Sequence, residues 1–263
     1  MAYAFYLSLT DLSLIRPRNI DFIGFANYLN LLRDPVFLES FGRTILFAVC
    51  VVAIELLLGT TLAYLFDEFA PTLSALRVAF LTPMVLTPVV VALIWKYMYQ
   101  PDYGVINYVL QLIGMGGQSW TSSTQTALLS VALVDIWQWT PFMFLIAYAA
   151  FQAVPEEFIE AATIDGASRW QTLLLIVLPV IRNIILVGIL LRFIEAYRLF
   201  DAVFVLTRGG PGHSTELLSV QAFLRGLGSN FNIGEGIAIS ILMLLVSAGA
   251  SAYMINLIWK RQE

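Results

Sequence analysis

The chain has 263 residues, 59% of them apolar or aromatic and 12% charged, with a net charge of −4 and a mean hydropathy of +0.82. This composition excludes an ordinary soluble domain and puts the chain in lipid. Without a basic run there is no electrostatic footprint for nucleic acid, and a single cysteine and a single histidine exclude an intrachain disulfide or a multi-cysteine metal centre.

A hydrocarbon core about 30 Å thick needs roughly 20 apolar residues of helix to cross it. Taken in chain order, the run MAYAFYLSL covers about half that distance. With neither a basic n-region nor a small-residue cleavage site, it reads as the outer end of a first span whose beginning is absent. Five long apolar segments follow: Phe41 to Phe66, Leu76 to Tyr99, Thr126 to Ala150, Val180 to Leu206 and Gly236 to Trp259. Breakers separate them at RDP (Arg33 to Pro35), DEFAPT (Asp67 to Thr72), QPDYG (Gln100 to Gly104) and RGGPG (Arg208 to Gly212). The expected fold class is therefore all-α integral membrane, with five complete transmembrane helices and the remnant of another. Cys50 reads as a lipid-facing or packing residue and His213 as a solvated loop residue. Pro83, Pro88 and Pro141 fall inside expected spans, where each frees a backbone carbonyl and should kink the helix.

Between the third and fourth long segments lies VPEEFIEAATIDGASRWQTLLLIVLP, too polar at its start to cross lipid. Pro155 suits a first helical position, and Glu156 and Glu157 put negative charge at the positive end of the helix dipole. Gly166 can take the left-handed conformation that stops a helix. Ser168 with Gln171 forms a capping box for a second helix, which Pro179 should end. The spacing predicts a helix, turn, helix hairpin on the membrane surface. Ala161 and Ala162 leave room for close approach, and Glu160 and Asp165 offer charge at the edges. On these signals alone, docking into a partner groove and resting at the lipid interface are equal readings.

Glu160, Ala161, Ala162, Asp165, Gly166 and Ala167, then eight residues, then Ile176, Leu178 and Pro179, match the EAA motif of ABC importer permeases at every position. The chain also resembles the maltose- and trehalose-type sugar permeases through FIGFANYLNLLRDP, QPDYGVIN, WQWTPF and FDAVFVLTRGGPG. The resemblance implies a type I ABC importer permease fold, one transmembrane permease domain over residues 1–263, and a cytoplasmic coupling segment at 151–179. It implies a multi-pass protein of the cytoplasmic (inner) membrane that imports a mono-, di- or oligosaccharide by alternating access. Implied partners are a second homologous permease subunit, two ATP-binding subunits and an extracytoplasmic substrate-binding protein facing the loops around Tyr28 and His213. ATP and Mg would sit on the ATPase partners, with no cofactor on this chain. The orientation comes from the resemblance. The positive-inside count does not support it, with Arg77, Arg169, Arg182, Lys260 and Arg261 on the cytoplasmic side against Arg16, Arg18, Arg33, Arg43, Arg208 and Arg225 outside or near it.

Arg192, Glu195, Arg198 and Asp201 alternate in sign at spacings of three, so each has an opposite charge within helical reach. Charges at such depth face a bundle interior or an aqueous cavity. They read equally as a self-neutralising ladder that binds the second permease and as a polar lining of the substrate path. Asp135, Trp137, Gln138 and Trp139 combine a carboxylate, an amide and two indoles, the mixed lining of a sugar site, although tryptophans also anchor spans at the interface. Tyr197 and Glu55 are weaker candidates.

The chain cannot bind ATP through a Gly-rich loop. Its two lysines, Lys96 and Lys260, both follow tryptophan, so no Gly-Lys-Ser/Thr ending exists. An intramembrane enzyme is disfavoured by the lack of HExxH and GxSxG. A secondary, ion-coupled transporter is the alternative of another class, although the sequence shows no internal repeat. Among ABC substrates, a glycerol-phosphate type stays open.

Overall fold

The computed structural model of the chain describes residues 1–15, 20–69, 74–228 and 231–259. Arg16, Arg18, Lys260 and Arg261, the Ala70 to Thr72 part of the DEFAPT turn and the side chain of Arg77 lie outside the described residues. The N-terminal run is helical over α1 (Ala2–Ser8), and α2 (Ala26–Arg33) leads into the long α3 (Pro35–Phe69). The RDP break works as its residues dictate. Asp34 is extended (ψ 114°), its carboxylate accepts the Val36 N–H at 2.9 Å, and Pro35 opens α3, where a missing N–H costs nothing.

The second long segment is not a single kinked span. It divides into α4 (Ser74–Val85) and α5 (Pro88–Met98), bent by 99° at the break. Proline forces its predecessor out of the helical region, and Thr87 sits at ψ 129° accordingly. A short amphipathic helix, α6 (Val105–Leu112), precedes α7 (Ala127–Gln152), which runs through Pro141 without a break. Then come α8 (Glu156–Ile164), α9 (Arg169–Thr172), α10 (Leu178–Tyr197), α11 (Asp201–Leu206), α12 (Leu218–Phe223) and α13 (Ile233–Trp259). Among the described residues, four helical stretches are long and apolar enough to cross a membrane, or five if the bent pair counts as one span.

Pro179 does not end the hairpin's second helix. The chain stays helical from Arg169 to Tyr197 because Leu173–Val177 widens into a π turn, with the Leu178 N–H reaching the Leu173 carbonyl five residues back. Proline has no N–H for the carbonyl four residues before it and collides with that carbonyl. A wider turn just ahead of Pro179 re-spaces the carbonyls and lets the helix continue. The expected span Val180 to Leu206 does break, however, between Tyr197 and Asp201.

Packing divides the chain into two compact units. The first comprises Met1–Val49, Thr87–Asp135 and Ile194–Ala250. Here Arg225 is ion-paired to both Asp34 and Glu235, tying the start of α3 to the first turn of α13. Burial opposes charge on Asp34, but hydrogen bonds from Arg225 and the Val36 N–H prevail and hold its carboxyl below the usual range. From α3, Arg43 donates to the Glu216 carbonyl at 3.1 Å and Thr44 accepts the Leu218 N–H at 2.9 Å, capping α12. Lys96 of α5 donates to the Val205 carbonyl at 2.8 Å near the end of α11.

The second unit comprises Cys50–Leu86, Ile136–Phe193 and Ser251–Glu263. Its core is centred on Phe144, whose ring meets Phe66 and Phe80 edge-on at 5.3 and 5.1 Å, with Ala63, Ala147, Phe151 and Ile181 around it. Glycine makes this possible. A Cβ at Gly59 would stand 2.7 Å from both Met143 Cβ and the Phe144 nitrogen, so α3 and α7 touch at backbone distance. Cys50 is free and exposed on α3.

Candidate functional site

The EAA segment folds as a compact hairpin in the second unit. Pro155 is the N-cap (ψ 132°) rather than the first helical residue, one position earlier than expected, and Glu156 and Glu157 occupy the first turn. The helix ends in a double backbone lock. The Ala167 N–H reaches the Ala162 carbonyl at 2.9 Å and the Gly166 N–H reaches the Thr163 carbonyl at 3.1 Å, the pair of bonds that marks a Schellman stop. Gly166 supplies the required left-handed backbone, φ +75°. Ser168 then accepts the Gln171 N–H while the Gln171 side chain accepts the Ser168 N–H at 2.7 Å, the predicted capping box.

This geometry assigns local work to motif residues that are otherwise hard to rationalise. Asp165 caps the helix, Gly166 turns it, and Ala162 and Ala167 close the lock. Ala162 is only 3% exposed and packs inward, so of the two alanines Ala161 alone is open to a partner. Glu160 and Asp165 are exposed as well, beside an apolar surface that includes Phe158, Ile164 (86% exposed) and Trp170 (65%). Beneath the hairpin, a groove of about 450 Å³ is lined by Tyr64, Asp67, Phe151, Thr163, Arg169 and Leu173 among others.

The candidate path residues divide between the units. Trp137, Gln138, Trp139 and Arg192 lie in the second; Asp135, Glu195, Tyr197, Arg198 and Asp201 lie in the first. The expected four-charge ladder does not form. Arg192, 1% exposed, instead grips Glu55 of α3 (0%), with Nε to Oε2 at 2.7 Å and Nη2 to Oε1 at 2.9 Å. The Trp139 ring lies 5.3 Å from the same guanidinium. Glu195 and Arg198 do pair with each other, in the open. Asp201 begins α11 beyond the break, so the three-residue register is lost. Glu55, a weaker candidate on sequence grounds, is the buried partner because helix contact rather than chain proximity decides where a desolvated arginine finds its carboxylate.

Nor do the four candidates within DIWQW form one wall. Successive helical positions turn by about 100°, which spreads them around α7. Trp137 is exposed, Trp139 half-buried against Arg192, and Asp135 and Gln138 are buried. The Gln138 amide donates to the Leu86 carbonyl at 3.1 Å, satisfying a backbone acceptor at the α4–α5 break.

In the first unit a cleft of about 800 Å³ is lined by Tyr197, Arg198, Phe200, Ser219, Phe223, Ser240 and Ser247, with Ile194, Met243 and Leu244 between them. Of these residues, only Tyr197 and Arg198 stood out in the sequence. The overlooked signal is the seven-residue spacing of Ser240 and Ser247, which puts two hydroxyls on one face of an otherwise apolar span. Outside the cleft, His213 Nδ1 is hydrogen-bonded to the Glu216 carboxylate in the loop before α12.

The chain matches the family model described as binding-protein-dependent transport system inner membrane component over residues 55–261. It is 39% identical over 261 residues to a probable ABC transporter permease protein of Sinorhizobium fredii, covering 99% of this chain and 83% of that one. It is 34% identical over 226 residues to the trehalose/maltose transport system permease protein of Thermococcus litoralis, covering 86% and 77%. Its fold is similar to a chain in the crystal structure of a bacterial ABC transporter involved in the import of the acidic polysaccharide alginate, with TM-score 0.85, 19% identity and coverage of 100% and 90%. With several spans and an exposed EAA hairpin, the chain belongs to the binding-protein-dependent transport system inner membrane component family and is a multi-pass permease component of an ABC importer.

Proposed function

We propose that this chain is the membrane subunit through which an ATP-driven importer moves a sugar inward, and that Glu160, Ala161, Ala162, Asp165, Gly166 and Ala167 couple it to an ATPase. The carrying observation is the hairpin itself: a short helix with exposed carboxylates and apolar side chains, rigidly stopped, on the same unit as the buried core around Phe144. Such a helix is a handle for a groove-bearing partner. In the proposed assembly a second permease subunit and two ATP-binding subunits complete the complex, with ATP and Mg on the latter. An extracytoplasmic binding protein delivers substrate.

Movement is by alternating access. Closure of the ATPases shifts the hairpins, the spans open outward to the loaded binding protein, and hydrolysis returns them. Relatives named for trehalose and maltose support a neutral di- or oligosaccharide. The first-unit cleft suits such a ligand, with Phe200 and Phe223 offering ring faces and Ser219, Ser240 and Ser247 offering hydroxyls. Arg198, compensated by Glu195, and Tyr197 belong to the same lining. Asp135, Trp137, Gln138, Trp139, Arg192 and Asp201 serve the path by holding its helices in place.

The test is ATPase activity of the reconstituted complex with a panel of binding protein and sugar pairs. Stimulation by a cognate sugar pair is expected. Uptake driven by an ion gradient without ATP or an ATPase partner would replace this reading with a secondary transporter.

A further inference from the structure

The helix α6 stands apart from the transport machinery. Val105, Tyr108, Val109, Leu112 and Ile113 are all exposed and form one continuous stripe at helical spacing. The opposite face is anchored by Asn107, which is 1% exposed and donates to the carbonyls of Pro101 (3.3 Å) and Gln118 (3.0 Å). The same side chain accepts from the Gln118 N–H (3.1 Å) and the Trp120 indole (2.8 Å).

That anchor also sets the level of the helix. The Trp120 ring stacks on Tyr99, the residue capping α5, at 5.3 Å. The Trp120 carbonyl accepts from Ser130 in the first turn of the membrane-crossing α7 at 2.8 Å, and Tyr99 donates to the Ser130 carbonyl at 3.0 Å. The helix is thus held where α5 ends and α7 begins, all within the first unit. Between Lys96 and Asp135 the only charged residue is Asp102, while Tyr97, Tyr103, Tyr108 and Trp120 supply the amphipathic rings typical of headgroup depth.

We infer that α6 is an in-plane membrane anchor, with its exposed apolar stripe sunk into the boundary between lipid headgroups and acyl chains. Val89, Val90, Leu93 and Ile94 of α5, the helix to which Trp120 ties this segment, are exposed, apolar and uncharged as well. A soluble partner that docks and leaves in every cycle is recognised through a charged rim, and here Asp102 is the one charge between Lys96 and Asp135. An interfacial helix gains from burying its apolar stripe at the headgroup boundary while its other face stays polar, as Asn107 and Gln111 are here.

The full chain, assembled with its importer partners in nanodiscs of phosphatidylethanolamine and phosphatidylglycerol, is spin-labelled at Val109→Cys, Leu112→Cys or Gln111→Cys on a Cys50→Ala background. Labels at 109 and 112 should be open to molecular oxygen and shielded from a water-soluble nickel chelate. The label at 111, on the flank of the stripe, should favour nickel. Nickel access at all three positions overturns the inference in favour of a water-facing helix. Shielding of 109 and 112 from both reagents overturns it in favour of a protein partner.

Discussion

Arg192 of α10 and Glu55 of α3 form a two-point ion pair, 2.7 and 2.9 Å, between side chains that are 137 residues apart and essentially inaccessible. The Trp139 ring lies against the same guanidinium. Breaking a buried pair of this kind by removing one member costs about 3–5 kcal/mol. Glu55→Gln and Arg192→Met should each lower the melting temperature of the detergent-solubilised complex substantially. The double variant Glu55→Leu with Arg192→Met should recover most of the loss. Single variants as stable as the parent would show that the pair does not hold α3 to α10.

The hairpin makes a prediction that separates folding from coupling. A Cβ at Gly166 would meet nothing within 4 Å, so its substitution costs only the left-handed backbone, about 1–2 kcal/mol for alanine. Gly166→Asn should be tolerated better than Gly166→Ala, because asparagine visits that region more readily. Glu160→Lys, on the exposed face, should leave the complex inserted and stable while dissociating ATP hydrolysis from uptake in proteoliposomes. Normal substrate-stimulated transport by Glu160→Lys would remove Glu160 from the coupling surface.

At Gly59 the constraint is space rather than dihedral angle. Even alanine would bring its Cβ within 2.7 Å of Met143 Cβ and the Phe144 nitrogen, and α3 and α7 would have to separate. Overpacking of this kind costs about 1–3 kcal/mol. Gly59→Ala should lower the unfolding temperature, and Gly59→Val should lower it further. Gly249, with open space around its Cβ position, is the matched control, and Gly249→Ala should have little effect.

Acid sensitivity should trace in part to Asp34. Its carboxyl titrates below the ordinary range in the folded chain, because the hydrogen bonds from Arg225 and the Val36 N–H outweigh burial. A depressed folded value means that stabilisation is complete above the unfolded value, about pH 4, and is lost as pH falls through the folded one. Asp34→Asn should therefore be less stable than the parent at neutral pH, and the gap should shrink below about pH 4. Parallel acid-unfolding curves for the two proteins would remove Asp34 from the linkage.

The elements legible in the sequence were those governed by interactions within a turn or so of chain. The exposed EAA hairpin followed from a left-handed glycine, a Ser168–Gln171 box and two acidic residues at a helix start. The RDP break followed from a capping aspartate ahead of a proline. Long apolar runs located α3, α7 and α13 to within about six residues at each end. Proline was a weaker guide. Pro88 broke its span outright, Pro141 left α7 continuous, and Pro179 was absorbed by a π turn.

Everything that depended on which helices touch was decided by the tertiary structure. Arg192 had nearby charges in its own helix yet paired with Glu55, because Gly59 lets α3 pack closely into this unit and a desolvated arginine requires a carboxylate that is buried with it. Gln138, a candidate sugar ligand by its residue type, donates to Leu86 at a break whose neighbours no periodicity could reveal. The cleft of Ser219, Ser240 and Phe223 gathers residues from separate helices, each unremarkable alone. Sequence determined the segments and their ends through backbone hydrogen bonds that span three to five residues; packing decided the partners, because burial of charge and shape is a property of surfaces that meet.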